Sequence, residues 1–201
     1  MKIDRYINAS SKWLDIGCYD GTILRLIDAQ EKIGIDLNVK KQRDINIIQA
    51  TVEYLPFKEQ IFEIITAFDI LEHIKNDSLM IKQVENKLTS AGSFIITAPH
   101  EKERIFPKFL KSWLNFKKWK HIKYGYTQTS LKKLFEGKWR LKFIQWNTDL
   151  SNFLYFPLQF IWKILQKFAR IIINRLIEIE FIRTEKFTSP TGHIILIARK
   201  E

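Results

Sequence analysis

Cysteine is nearly absent, with a single thiol, Cys18, among 201 residues. One cysteine cannot close an intrachain disulfide or build a multi-cysteine zinc cluster, so a packed core must hold the fold, and a reducing compartment suits it. Glycine and proline are scarce too, at seven and five. That is too few for a long flexible linker, and no repeat or low-complexity tract is present. With 46% hydrophobic residues, the economical expectation is one domain over 1–201. The opening Met-Lys-Ile-Asp-Arg leads into no apolar core, so no secretory signal is expected. The uncharged run from Phe153 to Trp162 ends at Lys163, short of the roughly 18 to 20 apolar residues a spanning helix needs. Acidic residues are outnumbered 22 to 33 by basic ones, a net charge of +11. This balance favours anionic partners without choosing among nucleic acid, lipid headgroups and phosphorylated substrates.

What is present is organised around Trp13-Leu14-Asp15-Ile16-Gly17-Cys18-Tyr19-Asp20-Gly21. An apolar strand pattern runs into a glycine turn and then a helical pattern from Thr22 to Ala29. Gly17 permits the turn and Gly21 a close helix start, so ligand atoms are expected to meet main-chain N–H groups there. A dinucleotide fingerprint needs glycine at 17, 19 and 22, and Tyr19 and Thr22 fail it. Lys32 to Asp36 reads as a second strand ending in a carboxylate, whose two oxygens suit a ribose diol. A strand is expected at Ile45 to Gln49, and a central parallel one at Phe62 to Phe68.

Further along, Ile74 to Leu88 reads as an amphipathic helix with Ile74, Met80 or Ile81, Val84 and Leu88 on one face. Ser93 to Ala98 is the next strand, which places His100 beyond its carboxyl end, the edge where open α/β sheets bind ligands. From 101 to 123, eight basic residues interleave with Phe106, Phe109, Trp113, Phe116 and Trp119. That pattern suits a lid over an acceptor pocket, a membrane interface or RNA. Thr127 has the character of a helix N-cap. Strands are expected at Trp139 to Asn147 and His193 to Arg199, separated by a long helical insertion at about 150–185. Polar residues recur through that insertion at Gln159, Lys163, Gln166, Lys167, Arg170, Asn174 and Glu178. A helix with so narrow a polar stripe must bury most of its girth in its own domain, a twin subunit or a bilayer edge.

Four segments, in order, resemble the class I S-adenosylmethionine-dependent methyltransferases, of the type 11-like group. Asp15, Gly17, Cys18 and Gly21 match the family's motif I, with Tyr19 at its middle glycine. Ala50 to Phe57 is similar to Gly-Asp-Ala-Glu-x-Leu-Pro-Phe, with Thr51 where an aspartate usually contacts adenine. Phe68-Asp69 and Leu71-Glu72-His73-Ile74 match the third segment. His121, Gly125-Tyr126-Thr127, Leu131 and Leu134 match the fourth.

The resemblance implies an α/β, doubly wound, Rossmann-like sheet of seven strands, mostly parallel, with the last antiparallel. It implies S-adenosyl-L-methionine as cofactor, held by Asp15, Gly17, Cys18, Gly21, Asp36, Leu37, Thr51, Val52, Glu53 and Phe68. His121, His100 and Asp69 are the candidate catalytic groups, and His73 is read as structural. No cluster of metal ligands stands out in the sequence, so no metal is expected. No Asn-Pro-Pro-aromatic sequence follows the fourth strand, which counts against amino-methylating nucleic-acid and protein enzymes.

The expected activity is methyl transfer to a small-molecule or lipid-linked acceptor in a cytoplasmic setting. Peripheral membrane contact is expected through 101–120 and 153–180, with homodimerisation as another use of the insertion. An RNA methyltransferase is the alternative enzyme and rests on charge alone. A noncatalytic cofactor-binding or partner subunit is the alternative from another class, motivated by Tyr19 and Thr51.

Overall fold

The computed structural model describes residues 6–7, 11–39, 44–105, 108–135, 137, 139–146, 175 and 192–201. The expected insertion at 150–185 lies outside the described residues, apart from a single helical position at 175. So does Phe106.

Among the described residues, seven strands form one sheet in the order β3-β2-β1-β4-β5-β7-β6. They are β1 (Lys12–Ile16), β2 (Glu31–Asp36), β3 (Asn46–Gln49), β4 (Phe62–Phe68), β5 (Leu88–Pro99), β6 (Trp139–Trp146) and β7 (His193–Lys200). The first five pair in parallel, and β7 runs antiparallel between β5 and β6. The expected topology, with its antiparallel last strand, is therefore present. Strand order reverses at β1, between β2 and β4, which makes the carboxyl ends of those strands the natural ligand crevice.

Alternation along the strands sends side chains to two cores. On one face Leu14, Ile16, Ile65, Ala67, Phe94, Ile96 and Leu196 pack with Met80, Ile81 and Val84 of α2 (Asp77–Lys87) and Leu131 of α3 (Gln128–Leu134). On the other, Trp13, Ile64, Ile95 and Ile197 pack with Ile7, Ile27 and Leu24 of α1 (Thr22–Leu26). Burying a Leu or Ile side chain contributes roughly 1.5–3 kcal/mol, so both layers hold the sheet that carries the crevice.

Three helix ends differ from those the sequence predicts. The first helix stops at Leu26 rather than Ala29, because Ile27 is already extended and its carbonyl accepts a hydrogen bond from Lys32 Nζ. The helix expected from Ile74 begins at Asp77, where Asn76 caps it by accepting from the Leu79 amide at 3.1 Å. Its far end gives way at Leu88, which already belongs to β5, and the pairing with β4 is irregular between Phe62 and Ile64.

Candidate active site

The turn after β1 is closed by its own amides. Gly17 N and Cys18 N donate to the Ile35 carbonyl at 2.8 and 3.1 Å, and Gly21 N donates to Cys18 O at 2.8 Å. Tyr19 N donates to Asp36 Oδ2 at 2.9 Å, and Thr22 N donates to Asp20 Oδ1 at 3.0 Å. Of the N–H groups expected to face a ligand, those of Gly17, Cys18 and Tyr19 thus lash the turn to the end of β2, and those of Gly21 and Thr22 close it on itself. What glycine supplies here is conformation and space. Gly17 has φ +72°, and a Cβ there would lie 2.1 Å from Ile70 Cδ1. Tyr19, at the family's middle glycine, adopts the same left-handed region with φ 51°, and its ring is 58% exposed. The ring therefore faces solvent instead of filling the turn.

Asp15 is buried, and its Oδ1 accepts from Thr66 Oγ1 at 2.6 Å across the β1–β4 pair, while Trp13 Nε1 donates to that same hydroxyl at 2.9 Å. Burial pushes the Asp15 carboxyl up to about 7, against the opposing pull of the Thr66 hydrogen bond. Cys18 turns inward. Its Sγ fills the space where a Cβ on Gly34 would sit, so the side chain is core packing, and burial pushes the thiol up to about 12. Of the expected cofactor residues, Cys18 offers only backbone.

Asp36 ends β2 half-exposed, with Oδ2 taking the Tyr19 amide and Oδ1 the Asn38 amide at 2.9 Å. Each carboxylate oxygen has a second lone-pair site, so two acceptor positions remain for a diol. Exposed Leu37 adjoins it, and its carbonyl accepts from Gln49 Nε2 at 2.9 Å. The Ala50 amide donates to Asp36 O at 3.2 Å and Tyr54 N to Thr51 O at 3.3 Å. Thr51, Val52 and Glu53 therefore form a turn beside Asp36, with Thr51 and Glu53 exposed. Leu55 anchors that turn in the core. Phe68 closes β4 half-exposed against the layer around Trp13 and Cys18.

Across the crevice, Asp69 leaves β4 in the left-handed region at φ 53°. Its amide donates to Thr97 O and Oγ1 at 3.0 and 3.1 Å, and its Oδ1 accepts from Thr97 Oγ1 at 2.9 Å. The same Oδ1 lies 3.5 Å from His193 Nε2, and His193 Nδ1 lies 3.7 Å from Glu103 Oε1. The sequence reading missed this bridge, because His193 opens the last strand and no motif surrounds it.

His100, a candidate base, is 4% exposed, its Nδ1 accepts the Lys102 amide at 3.0 Å, and burial lowers its pKa. It is a turn-forming residue, withdrawn from solvent. His121 is half-buried beside Trp119 and the His73 ring, and burial, reinforced by His73, lowers it to about 4. Its imidazole is neutral at pH 7.

The segment from Gly125 is built as a clamp. A Cβ on Gly125 would lie 2.2 Å from Pro99 O, so only glycine lets this loop cross β5. Tyr126 Oη lies 2.9 Å from Leu71 O and 3.0 Å from Asp77 Oδ2, sharing its one proton between them, and Lys123 also reaches Asp77. Thr127 caps α3 as expected, accepting from Ser130 N at 3.0 Å in a capping box. Before it, the aromatic stretch is helical without a break from Lys108 to Lys118, opening as a 3-10 turn at Lys108–Leu110 and ending as a π-helical turn at Trp113–Lys118. Phe109, Trp113, Phe116, Ile122 and Tyr124 are exposed.

A sheet of this order, with an acid ending its second strand and a glycine turn after its first, defines the class I methyltransferase fold. Residues 2–138 match a family model described as a methyltransferase domain. This chain belongs to that family and is an S-adenosylmethionine-dependent methyltransferase. No curated protein matches it. Among solved structures it is similar to phosphoethanolamine N-methyltransferase 2 of Haemonchus contortus, determined with S-adenosyl-L-methionine, at TM-score 0.67 and 15% identity over 99% of this chain and 51% of that one. It is also similar to an S-adenosylmethionine-dependent methyltransferase of Archaeoglobus fulgidus, at 0.63 and 17% over 98% and 89%. A third, from Mesorhizobium loti, gives 0.63 and 15% over 98% and 95%. No helix among the described residues is long and apolar enough to cross a membrane.

Proposed function

We propose that this protein methylates a small-molecule or lipid-linked acceptor at a membrane surface, with Asp36, the turns at 17–21 and 51–53, and Phe68 holding the cofactor. The residues present suit that cofactor. Asp36 keeps acceptor capacity for a sugar diol, and the exposed turn at 51–53 stands beside it. The sulfonium supplies an electrophilic methyl and a leaving group that departs neutral. The protein's contribution is then alignment of the acceptor and exclusion of water.

Of the three catalytic candidates, Asp69 and His121 line the acceptor side, and His100 serves structure. Asp69, held by Thr97 and facing His193, is placed to take a proton from an acceptor hydroxyl or ammonium. His121, neutral but lowered to about 4, is a weak base and a better hydrogen-bond acceptor.

The observation that carries the membrane reading is the apron at 108–124. Phe109 is 82% exposed, with exposed Trp113, Phe116 and Tyr124 among Lys108, Lys117 and Lys118. Exposed rings with flanking ammonium groups are what a headgroup layer takes up. The test is sedimentation with phosphatidylglycerol-containing and neutral vesicles, beside an RNA gel shift. Salt-sensitive binding to the anionic vesicles is expected, weakened in the Phe109→Ser/Trp113→Ser variant. Tight RNA binding without vesicle binding would turn the reading toward RNA. Asp36→Ala should weaken S-adenosylmethionine binding roughly 100-fold by calorimetry, the loss of two charge-assisted hydrogen bonds.

A further inference from the structure

Glu72, on the turn Leu71–His73, is 1% exposed, and its Oε2 has no hydrogen-bond partner among the described residues. A buried carboxylate oxygen left alone is costly, so something is expected to meet it. The charged groups that weigh on it most are carboxylates, Asp69 and Glu103. Two imidazoles approach instead. One ligand atom each from Glu72, His73 and His121 lie within 4.8 Å of one another, and the two rings meet edge to face at 4.8 Å. His121 Nδ1 is itself buried without a hydrogen-bond partner among the described residues. His73 Nδ1 lies 3.3 Å from Lys120 O. A hydrogen bond donated there leaves Nε2 carrying the lone pair, the arrangement in which metal-bound histidines are held by a backbone carbonyl.

We propose that Glu72, His73 and His121 bind one divalent transition-metal cation of the zinc type. Two imidazole nitrogens with one carboxylate oxygen suit such an ion and disfavour magnesium or calcium, which take oxygen ligands. Tetrahedral bonds of about 2.1 Å place ligand atoms roughly 3.4 Å apart. From separations of up to 4.8 Å the three side chains must therefore draw in by as much as about 1.4 Å, and His73, exposed, has room to move. Three protein ligands leave a fourth position for water or an acceptor oxygen. The ion joins the turn after β4 to the loop after the π-helical turn, which already touch where Ile122 N donates to Glu72 O at 2.9 Å. The site shares no residue with the cofactor wall, and His121, on the acceptor side in the proposed function, serves here as a ligand of the ion instead of a hydrogen-bond acceptor.

The test uses the full chain, stripped with a chelator, titrated with zinc by calorimetry and with cobalt by visible absorption. One equivalent is expected, with cobalt bands of four-coordinate intensity. His73→Ala and His121→Ala should each weaken zinc binding by at least roughly tenfold. His73 is exposed, so its variant keeps the fold, verified by an unchanged melting temperature. S-adenosylmethionine affinity, measured in parallel, separates this result from the methyltransferase reading. Failure to bind zinc at millimolar concentration, or binding equally strong in both histidine variants, overturns the proposal.

Discussion

On the β1–β2 side of the crevice, the groups assigned to the cofactor sit in three short runs, at 15–21, 36–37 and 51–53, each following a strand. Main chain does most of the joining: the Ile35 carbonyl takes two amides and Asp36 takes two more. On the β4–β5 side, Asp69, Glu72, His73, Glu103, His121 and His193 meet as side chains from across the sequence. The first wall is fixed by backbone geometry and the second by burial. Substitution should therefore strain the first and retune the second.

The largest expected effect tests the backbone wall. Gly17→Ala meets Ile70 and the left-handed φ together. A strained backbone costs about 1–2 kcal/mol and overpacking about 1–3 kcal/mol. Denaturant melts should show a loss of about 2–5 kcal/mol, partly recovered in Gly17→Ala/Ile70→Ala. If the second change recovers nothing, Ile70 is not what excludes a side chain there.

Next is the pH dependence carried by Asp15. Its folded pKa, about 7, lies above the ordinary 3.8 because of burial. Between those values the unfolded chain releases the proton first, so stability falls as pH rises from about 4 through 7. Asp15→Asn should remove that slope, about 2–4 kcal/mol between pH 4 and 8. Parallel stability–pH curves for the two proteins would refute the assignment.

The smallest effect lies on the side-chain wall. Tyr126→Phe removes the hydrogen bonds to Leu71 O and Asp77, for about 1 kcal/mol of stability. S-adenosylmethionine affinity should stay within about twofold, since additivity holds for sites without shared partners. A larger loss of affinity would mean that the two walls are coupled.

The backbone wall was the more legible. Gly17 and Asp36 stand out because strand, turn and acid follow one another locally and parallel strands buried on both faces read as apolar runs, while the turn from Thr51 is marked only by the family resemblance. The destination of the amides was not visible, since their capture by Ile35 O depends on how β1 and β2 register. Cys18 was read as a site residue, but its thiol fills the space that Gly34 leaves. On the other wall, Glu72 and His73 could be quoted as a motif, yet nothing in sequence says that His121 arrives beside them. His193 bears no local signal, because only the pairing of β7 with β5 brings it to Asp69.

The position of β7 shapes how the molecule is assembled. Among the described residues β6 hydrogen-bonds to no strand except β7, which follows it in sequence only after a long intervening stretch. While the chain emerges from the ribosome, β6 must wait without a neighbour, and the open flank of β5 stays unprotected until the final strand slots between them. That last insertion also delivers His193, so the cluster around Asp69 and Glu103 is completed in the same event that seals the sheet.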